Sequence, residues 1–373
     1  INNTHVHTRI TRLYYINTRV SETSRAIPDP NLQQVMSLTL SEVVVGVKLA
    51  DPACGYKYLE EEGGDHPLAC TGLVQPFDFV LPAVYELREK LEPKSHDVFI
   101  ATYPKYGTTW MQQIVMLLLR GGSAEVNPMA DAPWLERSVS LDAKPAMKCV
   151  SSSPPHDCAA LCALSAPEDD SGRRAWKTHA TAEAAPWRGG PAAAAAAGAK
   201  VIVVCRNPKD AAVSMLHHTK NIPGFCFSGG WDDFVALFLQ GKVESSSIWP
   251  WHRGWWEAAA AHPATVLVVH FEDLKQDLKA EVDRVAVHLG LERSDVELEA
   301  VAARSSFPVM KAEAAARDAE KLKKGGSIKK DHFREGKTGG WRELMSPELQ
   351  REFDERTAAL EAAAAGGHAF RAA

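Results

Sequence analysis

The sequence predicts an α/β fold, a single domain with a central parallel β-sheet flanked by helices. Three observations carry this. Four short apolar runs, at 97–102, about 173–177, 200–205 and 265–270, have the length and composition of strands. The run Val201-Ile202-Val203-Val204-Cys205 is uninterrupted, as expected of a strand buried on both faces of a parallel sheet. Each run is followed by a loop and mostly by a helical pattern, the alternation that builds βαβ units.

Along the chain, residues 1–75 are expected to form an N-terminal extension. They mix β-prone stretches (Thr11 to Tyr15, Val43 to Val47) with Pro, Gly and the acidic run Glu60 to Glu62. The main domain is expected over 76–373. Asp78 to Leu91 reads as a strand and a short helix, and Met111 to Arg120 as an amphipathic segment. Ser151 to Cys162 and the acidic patch Glu168 to Asp170 read as an insertion. The Ala-rich tract Pro191 to Lys200 favours a crossover helix. Trp231 to Gln240, Glu281 to Leu289, Ser294 to Ala303 and the charged tail Pro347 to Glu361 also read as helices. Trp255 and Trp256, in the segment 249–261, are expected in the core, with His252 either in the core or at a site.

The 373 residues carry a net charge of −5, so wholesale nucleic-acid binding is not expected. Seven Cys at irregular spacing make neither a disulfide framework nor a paired zinc pattern. No apolar run reaches the roughly 18 residues of a membrane span. With no recognisable signal peptide, a reduced, cytoplasmic setting is expected, without a membrane partner.

Chemistry concentrates in three places. The first is Thr102-Tyr103-Pro104-Lys105-Tyr106-Gly107-Thr108-Thr109-Trp110, directly after the run Val98-Phe99-Ile100-Ala101. A strand entering a Gly turn and then a helix makes an anion cradle. Backbone N–H groups and the helix dipole face the anion, Lys105 adds a charge, and Thr108 and Thr109 add hydroxyls. It is not a Walker A loop, because Lys105 precedes Gly107 and no first Gly lies upstream at the required spacing. The second is Arg206-Asn207-Pro208-Lys209-Asp210-Ala211-Ala212-Val213-Ser214. Asn207 suits an N-cap and Pro208 a first helical turn. Arg206 then stands at the carboxyl end of a central strand, where open α/β sheets bind ligands and a guanidinium grips phosphate. The third is Lys177-Thr178-His179, whose Lys and His share one face of an extended segment. A His can take a proton from an alcohol or phenol, and a Lys can stabilise charge on an oxygen. Each place has an ordinary alternative: a strand–turn–helix corner, a surface Arg, a solvated pair.

In order and detail these strings resemble the cytosolic-type sulfotransferase family, which uses 3′-phosphoadenosine 5′-phosphosulfate (PAPS). The resemblance covers roughly 76 to 360 and implies one P-loop-like sulfotransferase domain. The 102–110 string resembles the family's 5′-phosphosulfate loop at every position except Tyr106, where the family usually has a small residue. It implies cofactor binding by Lys105, Tyr106, Gly107, Thr108, Thr109 and Trp110, with Trp110 stacking on the adenine. The second segment resembles the 3′-phosphate motif and implies that Arg206 and Ser214 hold that phosphate. The third implies His179 as general base, with Lys177 and Lys105 as catalytic cations. The string 266–275 resembles a family strand and acidic turn, with Phe271 in place of a Tyr whose hydroxyl contacts the nucleotide. Ser305-Ser306-Phe307-Pro308-Val309-Met310-Lys311 resembles the adenine-holding segment, implying Ser305 or Ser306 together with Phe307. Phe333 to Trp341 resembles the loop that closes on the 3′-phosphate, implying Arg334, Glu335 and Gly336. There Glu335 replaces a Lys beside a phosphate.

The resemblance implies sulfuryl transfer from PAPS, as co-substrate and with no metal, to a hydroxyl or amine of a small-molecule acceptor. Retention of Lys105, Lys177, His179, Arg206 and Ser214 favours an active enzyme. Two alternatives stay open. One is a nucleotide-dependent kinase. The other is a catalytically weak relative binding the nucleotide as a sensor or interaction module, which Tyr106, Phe271 and Glu335 favour. The family's dimerisation element has no match in Arg342 to Pro347, so dimerisation is unsupported.

Overall fold

The computed structural model describes residues 13–14, 46–61, 73–76, 79, 81–122, 125–138, 172–325 and 336–372. Its centre is a parallel sheet of four strands: β5 (Asp97–Thr102), β6 (Arg174–Thr178), β7 (Lys200–Cys205) and β8 (Val266–His270). These are the four runs expected to be strands. Their spatial order is β6-β5-β7-β8. Register pairs Ile100 with Lys177 on one side and with Ile202 on the other. All six residues of β5 are buried, as two neighbouring strands and two covered faces require.

Helices cover the sheet. Leu81–Lys90 (α1) precedes β5, and Thr108–Leu119 (α2) follows it, with ten of its twelve residues buried. After the short helix Pro128–Asp131 (α3) and β6, Gly190–Ala197 (α4) leads into β7. The Ala tract was expected to belong to a crossover helix, and it does. The helix stops at Ala197, capped by Gly198, because Lys200 already belongs to the sheet.

Pro208–Asn221 (α5) starts as expected, with the Asn207 side chain accepting the Lys209 N–H at 3.0 Å. Trp231–Leu239 (α6) and Ile248–Ala261 (α7) follow. Trp251, Trp255 and Trp256 of α7 are fully buried, as the sequence suggested for the last two. After β8 come Phe271–Gln276 (α8), Leu278–Leu289 (α9), Asp295–Arg304 (α10), Phe307–Lys323 (α11) and Pro347–Ala363 (α12). A reciprocal cap between Ser294 and Glu297 opens α10.

The amino-terminal segment is more than a lead-in. Leu13–Tyr14 (β1), Gly46–Ala50 (β2), Lys57–Glu61 (β3) and Val74–Gln75 (β4) form an antiparallel sheet in that order. Cys54, Tyr56, Tyr58 and Val74 belong to the main core cluster. Fully buried Glu61 accepts the Tyr85 hydroxyl at 2.7 Å and pairs with Arg88 at 3.3 Å, tying β3 to α1. The boundary expected at residue 75 therefore does not separate the described part of 1–75 from the domain. The reason is packing: aromatic residues within a polar stretch were buried by contacts from distant segments. Of the strand and helix expected over Asp78 to Leu91, the helix is Leu81–Lys90, and Asp78 lies outside the described residues, as do Ser151 to Cys162 and Glu168 to Asp170.

Candidate active site

Because the four central strands are parallel, everything that follows their carboxyl ends meets on one edge of the sheet. The chain leaves β5 for β6 on one side, while β7 leads to β8 on the other. Ligands of open α/β sheets bind in the crevice at such a reversal. The loop 103–107, His179, Arg206 and Phe271 all begin at this edge.

The loop after β5 turns sharply. Lys105 has φ +70° and Gly107 has φ +87°, so two of its residues are left-handed. Gly107 is required twice over, because a Cβ there would also lie 2.9 Å from the Phe271 ring. Thr108 opens α2, so the positive end of a twelve-residue helix adjoins the loop. Lys105 and Thr109 are half-buried, and Tyr106 is buried completely. The Tyr106 ring, which the sequence left without a place, packs against Trp251 and His252, and its hydroxyl lies 2.7 Å from His252 Nε2.

His179 follows β6 directly. Its Nδ1 sits 2.6 Å from the Thr102 carbonyl and 3.1 Å from Thr102 Oγ1. The carbonyl can only accept, so Nδ1 carries the proton and Nε2 keeps its lone pair. Thr102 Oγ1 also lies 2.7 Å from Thr108 Oγ1, linking the start of α2 to the imidazole. Helix α7 fixes the backbone here: Trp251 Nε1 donates to the His179 carbonyl and Trp255 Nε1 to that of Ala180, both at 3.1 Å. Burial first, and then the nearby Lys177 charge, lower the His179 pKa to about 3, so the ring is neutral at physiological pH. Lys177 Nζ lies 4.4 Å from the centre of the Trp134 ring, and His179 meets the same indole edge-on at 4.6 Å. Trp134 thus holds the pair together. Nothing in its local sequence singles it out, since its contacts with Lys177 and His179 come from a segment distant in sequence.

Arg206, at the end of β7, joins three segments. Its guanidinium donates to the Lys105 carbonyl at 2.9 Å and to the Lys337 carbonyl at 3.0 Å, and lies 4.3 Å from the centre of the Phe271 ring. Asp210 in the first turn of α5 accepts the N–H groups of Gly339 and Gly340 at 2.8 and 3.1 Å. The loop after α11 is therefore docked onto the start of α5. Ser214 is half-buried, two turns along that helix. Phe271 is buried and meets Trp110 edge-on at 5.3 Å. Ser305 is fully buried, and Phe307 opens α11 with its ring against Gly336, where a Cβ would come within 2.7 Å. Gly336 has φ +62°, so here too only glycine fits without strain. Arg334 and Glu335 lie outside the described residues.

The structure thus brings Lys105, Tyr106, Gly107, Thr108, Lys177, His179, Arg206 and Phe271 to one sheet edge. Ser305, Phe307 and Gly336 form a neighbouring group. Sequence reasoning passed over Thr102, Trp134, Asp210 and the carbonyl of Lys337. Thr102 alone carried a local signal, being the last residue of the strand that feeds the cradle.

A parallel sheet with an anion cradle after its central strand and a guanidinium after the next defines a P-loop-like α/β enzyme. The family model described as the sulfotransferase domain matches residues 95–365. Sulfotransferase 1E1 of Homo sapiens is 28% identical over 287 residues, covering 76% of this chain and 89% of the human protein. Sulfotransferase 6B1 of Mus musculus is 26% identical over 289 residues, covering 78% and 84%. Among solved structures, a mouse sulfotransferase complexed with PAP has a TM-score of 0.59 at 24% identity, covering 78% of this chain and 92% of that one. Retinol dehydratase in complex with androsterone and inactive cofactor PAP has a TM-score of 0.61 at 20% identity, covering 89% and 94%. The chain belongs to the sulfotransferase domain family. It is a sulfotransferase enzyme, and sulfuryl transfer is its reaction. Among the described residues no helix is long and apolar enough to cross a membrane.

Proposed function

We propose that the enzyme moves the sulfuryl group from PAPS to a hydroxyl or amine of a small-molecule acceptor, with His179 as general base and Lys177 and Lys105 as catalytic cations. The observation that carries this reading is the convergence of the Lys105 loop, His179 and Arg206 on one sheet edge, with Arg206 bonded to the Lys105 carbonyl at 2.9 Å.

The residues present suit the donor. Ser305 Oγ and Trp110 Nε1 are buried with no hydrogen-bond partner among the described residues. Buried polar atoms are rarely left unpaired, and these two belong to the segments that the resemblance assigns to the adenine. Arg206 and Ser214 are assigned to the 3′-phosphate, together with Arg334, Glu335 and Gly336 of the closing loop. The N–H groups at the start of α2, with Lys105, Thr108 and Thr109, are assigned to the 5′-phosphosulfate. Relatives solved with PAP support the same nucleotide class.

In the transfer step the acceptor O–H or N–H bond breaks and its proton passes to His179 Nε2. The acceptor atom bonds to sulfur as the bond from sulfur to the 5′-phosphate oxygen breaks. The electron pair of that bond stays with the phosphate, leaving 3′-phosphoadenosine 5′-phosphate (PAP). Lys177 and Lys105 balance charge on the transferring group and the departing phosphate. Positioning and electrostatics supply the acceleration, as in phosphoryl transfer.

Two observations favour catalysis over a nucleotide-binding sensor. The Thr102 carbonyl presets the tautomer that can accept a proton on Nε2, and Lys177 stands beside the imidazole. Calorimetric titration with PAP, using ATP and AMP as controls, tests the donor. Tight binding of PAP alone, lost in Arg206→Ala, is expected; preference for ATP would overturn the reading. A screen of phenols, steroids and amines with PAPS would then define the acceptor.

A further inference from the structure

We infer that Tyr106 and His252 form a positioning pair that holds the anion-binding loop in its binding shape from behind. The inference rests on the donor reading above and deepens it.

Tyr106 lies between two left-handed residues, Lys105 at φ +70° and Gly107 at φ +87°. Glycine adopts that conformation freely, but lysine does so under strain, and such strain persists only where the surroundings over-determine it. Tyr106 is the residue able to impose it. Its ring is fully buried against Tyr103, Trp251 and His252. Its hydroxyl meets His252 Nε2 at 2.7 Å, the short distance of a well-formed hydrogen bond.

His252 is itself fixed on every side. It is fully buried on α7, and its Nδ1 lies 3.5 Å from Cys205 Sγ, which accepts the Trp256 indole N–H at 3.4 Å. The Phe370 ring, from the carboxyl-terminal segment, packs on the imidazole at 4.4 Å. Cys205 directly precedes Arg206, whose guanidinium takes the Lys105 carbonyl. The loop is thus gripped at two neighbouring residues: the Lys105 carbonyl in front by Arg206, the Tyr106 hydroxyl behind by His252. Both grips run back to the end of β7. Without the hydroxyl, Lys105 is free to leave its left-handed conformation and the loop loses preorganisation for the anion.

The test is a double-mutant cycle on the full chain, with Tyr106→Phe, His252→Leu and the combination. PAP affinity is read by titration calorimetry, and kcat and KM for PAPS are measured with any acceptor found. Tyr106→Phe keeps the ring in place, so the fold is retained. Each single variant is expected to weaken PAP binding about three- to tenfold, the worth of one buried hydrogen bond. The double variant should be no weaker than the weaker single, and kcat should fall as well, because Lys105 leaves its place at the departing phosphate. His252→Gln, whose amide can keep a partner for the hydroxyl, should restore most of the affinity. Tyr106→Phe binding PAP as tightly as wild type would overturn the inference while leaving the donor reading intact. A wild-type protein that does not bind PAP would overturn both.

Discussion

Replacing Gly107 with alanine isolates what the anion-binding loop demands of its backbone. Gly107 has φ +87° immediately before α2. An L-residue there costs about 1 kcal/mol of left-handed strain. The added methyl would lie 2.9 Å from Phe271 Cδ2, closer than real Cβ atoms approach, and a tight 3.2 Å from Cε2. The ring cannot swing aside freely, because Arg206 stacks on it at 4.3 Å and Trp110 meets it at 5.3 Å. Overpacking of this kind costs roughly 1–3 kcal/mol. The total, roughly 2–4 kcal/mol, divides between lost stability and a displaced loop. Scanning calorimetry should show Tm lowered by up to roughly 3–5 °C for a chain of this size. Titration should show PAP affinity down by about tenfold or more, equivalent to about 1.4 kcal/mol. Adding Phe271→Leu to Gly107→Ala relieves the contact and should recover part of the loss. A Gly107→Ala protein that melts and binds PAP as wild type does would refute both the left-handed turn and the ring contact.

His179→Ala should lower kcat by roughly 10²–10⁴-fold with PAP affinity nearly unchanged, since a base acts on the acceptor proton and not on the nucleotide; equal loss of both would argue for a structural role. Arg88→Ala leaves Glu61 buried without its cation and should cost about 3 kcal/mol in urea unfolding, as breaking a buried pair does; a neutral result would detach the amino-terminal sheet from the domain's stability. Acid should destabilise the fold early. Burial lowers His179 to about 3, His270 and His288 to about 4, and His252 well below its usual value. The unfolded chain binds protons on these rings from about pH 6.5 downward while the folded chain does not, so their contribution is whole above 6.5 and falls towards pH 4 and 3. Glu244, lowered to about 2 chiefly by His218 against the cost of burial, adds to the loss below pH 4.5, whereas Glu136 and Glu272, raised by burial, oppose it. Urea midpoints that hold constant from pH 7 to 5 would show that these histidines are not buried as the structure has them.

Much of this enzyme was legible in the chain itself. The four parallel strands follow from unbroken apolar runs, because a strand covered on both faces has no polar side to display. The start of α5 follows from Asn207 and Pro208, whose capping role needs only local geometry. Lys105, Lys177, His179 and Arg206 stood out because each lies at or just beyond the end of a strand, and parallel strands deliver their ends to one edge. Tertiary structure decided the rest, because the remaining assignments depend on partners far away in sequence. Tyr106 looked like a departure from a small residue until His252, 146 positions later, supplied its partner. Trp134 gained its place from Lys177 and His179, and Asp210 from the Gly339-Gly340 backbone. The amino-terminal sheet read as an extension because its strands are short and its stabilising pair, Glu61 with Arg88, joins two charged residues that look solvent-facing in sequence. Periodicity and capping are properties of neighbouring residues and can be read from them. Burial of a polar group depends on who arrives to pair with it, and only the folded chain determines that.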